Sequence, residues 1–285
     1  MQNKPSSVAV ISSHVVRGSV GNRAAVFALE SLGLPVWAVP TITLPWHPGH
    51  GPSTRIVPDD ASFENLLTDL SGSKFNAELS AVLTGYMATP ALVDAAAQFI
   101  KDMRAQNPDL IYMCDPVIGD EGGLYVSGSI ARSIADKLVP LADIVTPNRF
   151  ELTWITGKKL ENNNDIIGTV RQAKLPSVLV TSAFGLTKEL TGNLYIDAQL
   201  ALLAEHKHID DAPNGVGDLT ASLFLARRLI SQDKDEALKM ATQSVFELLL
   251  QTRQRGADEL TIESDAEILR RPVVQIETHA LDSFR

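Results

Sequence analysis

The sequence predicts an α/β fold with a central, mostly parallel sheet and helices on both of its faces. Short apolar segments alternate with segments of helical length over most of the chain. The short segments are apolar throughout, as expected for strands buried on both faces of a parallel sheet. No linker rich in Gly, Ser or Pro divides the 285 residues, so we expect a single domain over residues 1–285.

The elements follow one another as strand and helix. The predicted strands are 7–12, 36–43, 81–84, 110–114, 144–146 and 178–181, followed by a two-stranded meander over 192–204. Predicted helices begin at Gly21, Asp60, Thr89-Pro90, Ser127, Asn148, Gly217 and Asp233. Thr89-Pro90 is a typical helix start, because a capping hydroxyl precedes a proline in the first turn. Asp60 is expected to cap the helix that ends near residue 70.

Composition excludes several classes of protein. A net charge of −9 argues against nucleic acid or an anionic membrane as the main partner. Cys114 is the single cysteine, which excludes an internal disulfide and fits a reducing compartment. No run of about 18 apolar residues predicts a membrane span, and the N-terminus lacks a signal-type segment. We therefore expect a cytoplasmic protein.

The most informative segment is 214–218, Asn-Gly-Val-Gly-Asp, which precedes an apolar helical run. Its glycines let the backbone approach a ligand closely, and the unpaired N–H groups at a helix start form an anion site. An acidic residue there would repel an anion. The conflict disappears if Asp218 accepts the proton of a hydroxyl group while the amides hold a transferring phosphoryl group. The segment therefore predicts a kinase.

Further polar side chains follow the predicted strands, where a doubly wound sheet binds its ligands. They are Ser13, the loop 44–58, Tyr86, Asp115, Asp120, Asn148, Glu151, Thr181 and Ser182. This set supplies the groups that phosphoryl transfer needs, without a nucleophile–base pair typical of acyl transfer. Other nucleotide motifs fail, because no G-x-x-x-x-G-K-[ST] is present and the G-x-G-x-x-G pattern at 215–220 breaks at Thr220. No zinc signature is present either.

Four blocks in order resemble the pyridoxal kinases of the ribokinase-like superfamily. They are SSHVVRGSVGNRAA at 12–25, CDPVIGDEGG at 114–123 with Tyr125, PLADIVTPNRFEL at 140–152, and VLVTS at 178–182 before GVGD at 215–218. The first and third blocks are specific to pyridoxal kinases, whereas GVGD marks the whole superfamily. The related hydroxymethylpyrimidine kinases usually have a cysteine where Asp218 stands. The resemblance implies a ribokinase-like fold and an ATP-dependent pyridoxal kinase of vitamin B6 salvage.

The resemblance also implies roles at matching positions. Asp218 is similar to the catalytic base that takes a proton from the 5′-hydroxymethyl group of pyridoxal. Gly215, Val216 and Gly217 are similar to the residues whose amides stabilise the transferring phosphoryl group. The implied substrate-binding residues are Ser13, Val20, His47, Tyr86 and Asp218.

The resemblance also implies which residues bind the nucleotide. The ATP-binding residues are Asp115, Tyr125, Asn148, Glu151, Thr181, Ser182 and Gly217. Asp115 and Glu151 are implied to hold Mg²⁺ through water, since this ion keeps much of its hydration shell. The resemblance allows a monovalent cation beside Mg²⁺ and implies a homodimer whose ligands are ATP and pyridoxal.

One segment departs from the family pattern. The common F-S-N-H-T-x-Y is Leu-Pro-Trp-His-Pro-Gly-His at 44–50, so Pro48 lacks the expected hydroxyl and two prolines stiffen the loop. Two alternatives therefore stay open. The acceptor is hydroxymethylpyrimidine or another small alcohol, or the chain is a vitamer-binding protein that is catalytically weak. Adenine contacts cannot be assigned from the sequence.

Overall fold

The computed structural model describes residues 7–231 and 233–281. Its strands are β1 Ser7–Val15, β2 Val36–Leu44, β3 Leu79–Thr84, β4 Ile111–Cys114, β5 Gly119–Asp120, β6 Gly123–Leu124, β7 Ile144–Val145, β8 Ser177–Phe184, β9 Leu190–Ile196, β10 Ala201–Lys207 and β11 Thr278–Ala280. Its helices are α1 Asn22–Ser31, α2 Asp60–Gly72, α3 Pro90–Gln106, α4 Gly128–Ser133, α5 Arg149–Thr156, α6 Asn163–Gln172, α7 Val216–Ser231, α8 Lys234–Arg255 and α9 Ala266–Arg270.

Over these described residues, one nine-stranded sheet has the order β11-β10-β9-β8-β7-β4-β3-β1-β2. Within this sheet, the strands β2, β1, β3, β4, β7 and β8 pair in parallel, and β9, β10 and β11 join the far edge antiparallel. Strands β5 and β6 form a separate antiparallel pair. Strand β1 lies between β2 and β3, so the chain places β2 on one side of β1 and then returns to place β3 on its other side. Such a reversal opens a crevice at the carboxyl ends of the parallel strands. The predicted α/β class with a mostly parallel sheet is confirmed.

Alternate residues of β1 pack against opposite helical layers, because side chains along a strand point to opposite faces. Val8 and Val10 pack in the core that contains α1, α7 and α8. Ala9 and Ile11 pack in the core that contains α2, α3 and α4. The strand is therefore apolar at every position from 8 to 11, which explains its run of buried residues.

Most predicted elements are present, and their ends differ in detail. Strand β1 continues past residue 12 to Val15, because its later residues pair with β2 after a register shift between Ser12 and His14. The prediction that Asp60 caps α2 was wrong. Asp59 is the N-cap, since its Oδ1 accepts the N–H of Ser62 at 3.0 Å, and Asp60 is the first helical residue. Strand β11 was not predicted.

Three further predicted helix starts have side-chain caps. Thr89 accepts the N–H of Leu92 at the start of α3, and Ser127 caps α4. Asp233 caps α8 by accepting two backbone N–H groups. These caps satisfy N–H groups that have no partner inside the helix, so local sequence fixes where each helix begins.

Candidate active site

A cavity of about 1300 Å³ lies at the carboxyl ends of the parallel strands. All the predicted site residues line it, although they come from separate parts of the sequence: Ser13, Val20, His47, Tyr86, Asp115, Tyr125, Asn148, Glu151, Thr181, Ser182, Gly215, Val216, Gly217 and Asp218. A crevice at this position is the expected ligand site of an open α/β sheet. The structure brings the predicted residues together, while their individual roles stay predictions.

The glycine turn before α7 has a backbone that only glycine adopts easily. Gly215 has a φ of 93°, and a Cβ at this position would lie 2.1 Å from the carbonyl oxygen of Ser19. The first intrahelical bond runs from the N–H of Leu219 to the Gly215 oxygen at 2.9 Å. The N–H groups of Val216, Gly217 and Asp218 therefore have no intrahelical partner and form an anion site at the cavity wall.

The Asp218 carboxyl stands in the first turn of α7, beside these amides. Burial raises the pKa of Asp218 above its usual value, and the backbone amide of Gly21 partly opposes the shift. A raised pKa makes a carboxylate a stronger proton acceptor. The position combines helix-start amides that have no intrahelical partner with a carboxyl group of raised pKa.

Asp115, Asp120 and Glu151 also line the cavity, and the carboxyl groups of Asp115 and Glu151 are buried. Burial raises the pKa of Asp115 well above its usual value, and the charges of Glu151 and Asp218 raise it further. Burial raises the pKa of Glu151 to about 7. Like charges confined in a buried space disfavour their joint ionisation, so this cluster attracts a cation.

The Glu151 carboxylate, in the first turn of α5, is held by backbone N–H groups at the start of β5. Its Oε1 accepts the N–H groups of Ile118 at 2.8 Å and Gly119 at 3.3 Å. The Asn148 side chain joins the same turn, since its amide nitrogen donates to the Gly119 oxygen at 2.8 Å. Both polar groups of Asn148 thus have protein partners. Its predicted contact with ATP requires the second amide hydrogen, the remaining lone pair of Oδ1 or a bridging water.

The cavity has a donor set that fits Mg²⁺ held through water. Within residues 7–231 and 233–281, no group of three or more His, Cys, Asp or Glu side chains is arranged to hold a metal directly. The buried Thr146 hydroxyl has no hydrogen-bond partner of good geometry and lies beside Asp115, whose pKa it lowers. Mg²⁺ prefers oxygen ligands, keeps several waters and uses few protein carboxylates. Asp115, Thr146 and Glu151 suit such water-mediated binding.

We call the part of the cavity that contains the predicted substrate-binding residues the acceptor end. It lies between β1 and the segment after β3. Ser13 and Val20 line it on one side and Tyr86 on the other. The buried Ser12 hydroxyl accepts the N–H of Tyr86 at 3.2 Å and fixes the start of that segment. The predicted ring-binding residues therefore surround one space that opens toward Asp218.

The segment 44–50 closes over this end. His47 Nδ1 accepts the N–H of Gly49 at 3.0 Å, and burial lowers the pKa of His47. His50 Nε2 lies 2.7 Å from the Glu259 carboxylate, and the Trp46 indole donates to the Gly51 oxygen at 3.1 Å. The prolines and these contacts give the loop a fixed shape, and Pro48 offers no hydroxyl to a substrate.

We call the part of the cavity that contains the predicted ATP-binding residues the nucleotide end. An irregular part of β8 lies there. The register shifts between Val180 and Ala183, and Ser182 has a φ of 54°. The bulge places Thr181 and Ser182 in the cavity wall. Opposite, the Tyr125 hydroxyl donates to Asp120 Oδ2 at 2.5 Å. The Asp120 carboxylate therefore fixes the position of the Tyr125 hydroxyl.

Sequence reasoning missed several cavity residues. The Arg149 guanidinium lies 4.3 Å from the centre of the Phe184 ring, and both residues line the nucleotide end. The His206 ring stacks on Phe246 at 4.6 Å between centroids. Arg55 lines the acceptor end. Arg149 lies in the block 140–152 and Arg55 in the loop 44–58, but the residues that they contact are distant in sequence, so the sequence did not indicate these contacts.

The comparisons with known proteins agree with this geometry. The phosphomethylpyrimidine kinase family matches residues 67–262. Pyridoxal kinase PdxY of Granulibacter bethesdensis is 34% identical over 271 residues, which cover 91% of this chain and 94% of that protein. The pyridoxine/pyridoxal/pyridoxamine kinase of Bordetella pertussis is 37% identical over 269 residues, 90% of this chain and 93% of that protein. The chain belongs to the pyridoxal kinase family.

A solved structure shows the same fold. Pyridoxal kinase from Leishmania donovani in complex with ADP and pyridoxamine has a TM-score of 0.90 at 25% identity, covering 96% of this chain and 99% of that one. Membership of the family confirms the predicted resemblance, the ribokinase-like fold class and the enzyme class, a phosphotransferase with an alcohol acceptor. Separately, no helix among the described residues is long and apolar enough to cross a bilayer.

Proposed function

We propose that this chain transfers the γ-phosphoryl group of ATP to the 5′-hydroxymethyl group of pyridoxal, in the salvage of vitamin B6 to pyridoxal 5′-phosphate. The observation that carries the proposal is the turn at 215–218, where free backbone amides and the Asp218 carboxyl face one cavity. Amides at a helix start bind a phosphoryl group, and the adjacent base removes the proton of the attacking alcohol.

The pyridine ring lies between Val20 and Tyr86, with its 5′-hydroxyl toward Asp218. Burial strengthens Asp218 as a base, which matches the need to accept a proton near neutral pH. The amides of Gly215, Val216 and Gly217 bind the transferring phosphoryl group. Little covalent chemistry remains for the protein, since phosphoryl transfer depends on positioning and electrostatic stabilisation.

Mg²⁺ is proposed as the ion that accompanies ATP, held through water by Asp115 and Glu151. The ion supplies positive charge to the phosphate oxygens during transfer. The Thr146 hydroxyl accepts or donates one bond in that water shell. A monovalent cation beside it is compatible with the same acidic cluster.

The adenine end is proposed to use the apolar wall that the sequence left unassigned. Val245 and Leu249 of α8 line the cavity near Ile209, and the His206–Phe246 stack adjoins them. An apolar surface with stacked rings suits a flat purine. Thr181 and Ser182 then lie on the side of the phosphates.

The wider organisation is also part of the proposal. One sheet takes strands from Ser7–Val15 to Thr278–Ala280, which supports a single kinase domain over residues 1–285. We assign the enzyme to the cytoplasm and expect a homodimer. Size-exclusion chromatography with light scattering tests the dimer, because a mass of one subunit would contradict it.

An acceptor panel tests the proposed function. Purified enzyme with Mg·ATP is offered pyridoxal, pyridoxine, pyridoxamine and hydroxymethylpyrimidine, and ADP release is measured for each. We expect the vitamers to be phosphorylated with a kcat/KM at least about tenfold above that of hydroxymethylpyrimidine. Tight vitamer binding without ADP release would contradict the proposal and indicate a binding protein.

The pyrimidine acceptor is the second candidate because the loop 44–50 has lost the hydroxyl at Pro48. The likeness of the fold to a putative phosphomethylpyrimidine kinase from Bacteroides thetaiotaomicron, with a TM-score of 0.88 at 22% identity, does not decide between acceptors. A higher kcat/KM on hydroxymethylpyrimidine than on every vitamer would favour this candidate. The Asp218 carboxyl in place of a cysteine favours pyridoxal.

A further inference from the structure

Arg55 reaches into the acceptor end of the cavity from the segment after the loop 44–50. Its Nη2 donates to the Tyr86 hydroxyl at 2.8 Å, and both residues line the cavity. The next residue, Ile56, pairs with Thr43 of β2 through two backbone bonds of 2.8 and 3.0 Å. Arg55 is thus fixed at its backbone by the sheet edge and at its tip by Tyr86.

This guanidinium places a permanent positive charge at the acceptor end. Of the described residues that line the cavity, the other Lys and Arg are Arg149 and Lys188, which come from the nucleotide end. His47 does not add to the charge at neutral pH, because burial lowers its pKa. The Asp218 carboxyl lines the same cavity, and burial raises its pKa.

We infer that Arg55 is a specificity-determining residue that disfavours pyridoxamine relative to pyridoxine and pyridoxal. The inference rests on the proposed function. The three vitamers share the ring and the 5′-hydroxymethyl group and differ at the neighbouring C4. Pyridoxamine carries an aliphatic amine there, which is protonated at neutral pH, whereas pyridoxine carries a neutral hydroxymethyl group of similar size.

The size of the effect follows from Coulomb's law in a partly hydrated cavity. Two like charges several ångströms apart, at a dielectric constant between that of the protein surface and water, change a binding constant by about three- to tenfold. Arg55 is exposed, so the lower part of this range applies at physiological salt. Shape contributes little, because the amine and the hydroxyl are nearly isosteric.

The test compares kcat/KM for pyridoxine and pyridoxamine, at saturating Mg·ATP, in the wild type and three variants. Arg55→Gln removes the charge, and we expect the pyridoxine-to-pyridoxamine ratio to fall about threefold or more. Arg55→Lys keeps the charge and should keep the ratio, even if both values of kcat/KM fall. Arg132→Gln is the matched control, since Arg132 is an exposed residue of α4 outside the cavity.

A second measurement needs no variant. Raising the salt concentration screens the repulsion, so KM for pyridoxamine should fall relative to KM for pyridoxine in the wild type. Two results would overturn the inference while the kinase assignment stands. One is a pyridoxine-to-pyridoxamine ratio in Arg55→Gln within twofold of the wild-type ratio, and the other is a wild-type ratio that does not change with salt. A wild type that phosphorylates no vitamer would overturn the proposed function, and the inference with it.

Discussion

The Asn148 side chain accepts the backbone N–H of Glu151 at 2.9 Å, and the Glu151 carboxylate accepts the backbone N–H of Asn148 at 2.9 Å. This capping box begins α5 at the floor of the cavity. The same carboxylate also accepts the N–H groups of Ile118 and Gly119 at the start of β5. One residue therefore joins two parts of the nucleotide end and adds negative charge to it.

Glu151→Gln should weaken this junction. An amide nitrogen cannot accept the N–H bonds that one carboxylate oxygen accepts, so we expect the free energy of unfolding to fall by about 1–3 kcal/mol. Thermal and urea unfolding of the ligand-free enzyme measure it. The control is Glu121→Gln, because the Glu121 side chain is 87% exposed and forms an ion pair with Arg149 at 3.3 Å. Equal stability of Glu151→Gln and the wild type at pH 5, where the contribution of this carboxyl is large, would contradict its role in joining the two segments.

The pH dependence of stability follows from the raised pKa of Glu151. The pKa is about 7 in the folded state against 4.5 for the ordinary carboxyl. The folded state therefore holds the proton more tightly, and the contribution of this group is fully present below pH 4.5 and is lost as pH rises to about 7. The stability of the ligand-free wild type relative to Glu151→Gln should decline from pH 5 to pH 7.5. A difference that stays constant across this range would contradict the assignment.

Asp115→Asn should separate metal use from folding. Burial and two neighbouring carboxyl groups raise the pKa of Asp115, so its ionised form costs folding free energy, and the neutral variant should be as stable as the wild type or more so. The Mg²⁺ concentration for half-maximal activity should rise about tenfold or more, since one of few acidic groups is lost. Asp102→Asn on α3, outside the cavity, is the control. An unchanged Mg²⁺ dependence would exclude Asp115 from the metal site.

The glycine turn offers a matched pair of variants. Gly215→Ala forces a side chain into positive φ and against the Ser19 oxygen, so we expect a loss of roughly 2–4 kcal/mol of stability. A Cβ on Gly217 meets nothing within 4 Å, so Gly217→Ala should fold normally. It should still raise KM for ATP, because the methyl group enters the space of the phosphoryl group. A fully active Gly217→Ala enzyme would argue against the phosphate lying there.

Local sequence was sufficient where one short segment fixes the structure. The turn at 215–218, the caps at Thr89 and Asn148 and the strand at 7–12 all depend on neighbouring residues. Asp59 rather than Asp60 capped α2, because both are good caps and only the path of the incoming chain decides between them. The extension of β1 to Val15 depends on pairing with β2, which is distant in sequence.

The site was predictable where polar residues follow strands, since the fold brings strand ends to one edge. It was not predictable where tertiary packing alone joins two residues. The Arg55–Tyr86 bond, the Arg149–Phe184 contact and the His206–Phe246 stack are of this kind. The fixing of Glu151 by the backbone of Ile118 and Gly119 also requires the folded chain.

The most direct test is the turnover of Asp218→Asn with saturating Mg·ATP and pyridoxal. The side chain keeps its size but no longer accepts a proton, so kcat should fall about 10²-fold or more while the dissociation constant of ATP stays within a few-fold. Binding of ATP is measured by calorimetry on the same preparation. A wild-type kcat in Asp218→Asn would contradict the assignment of the base at the start of α7.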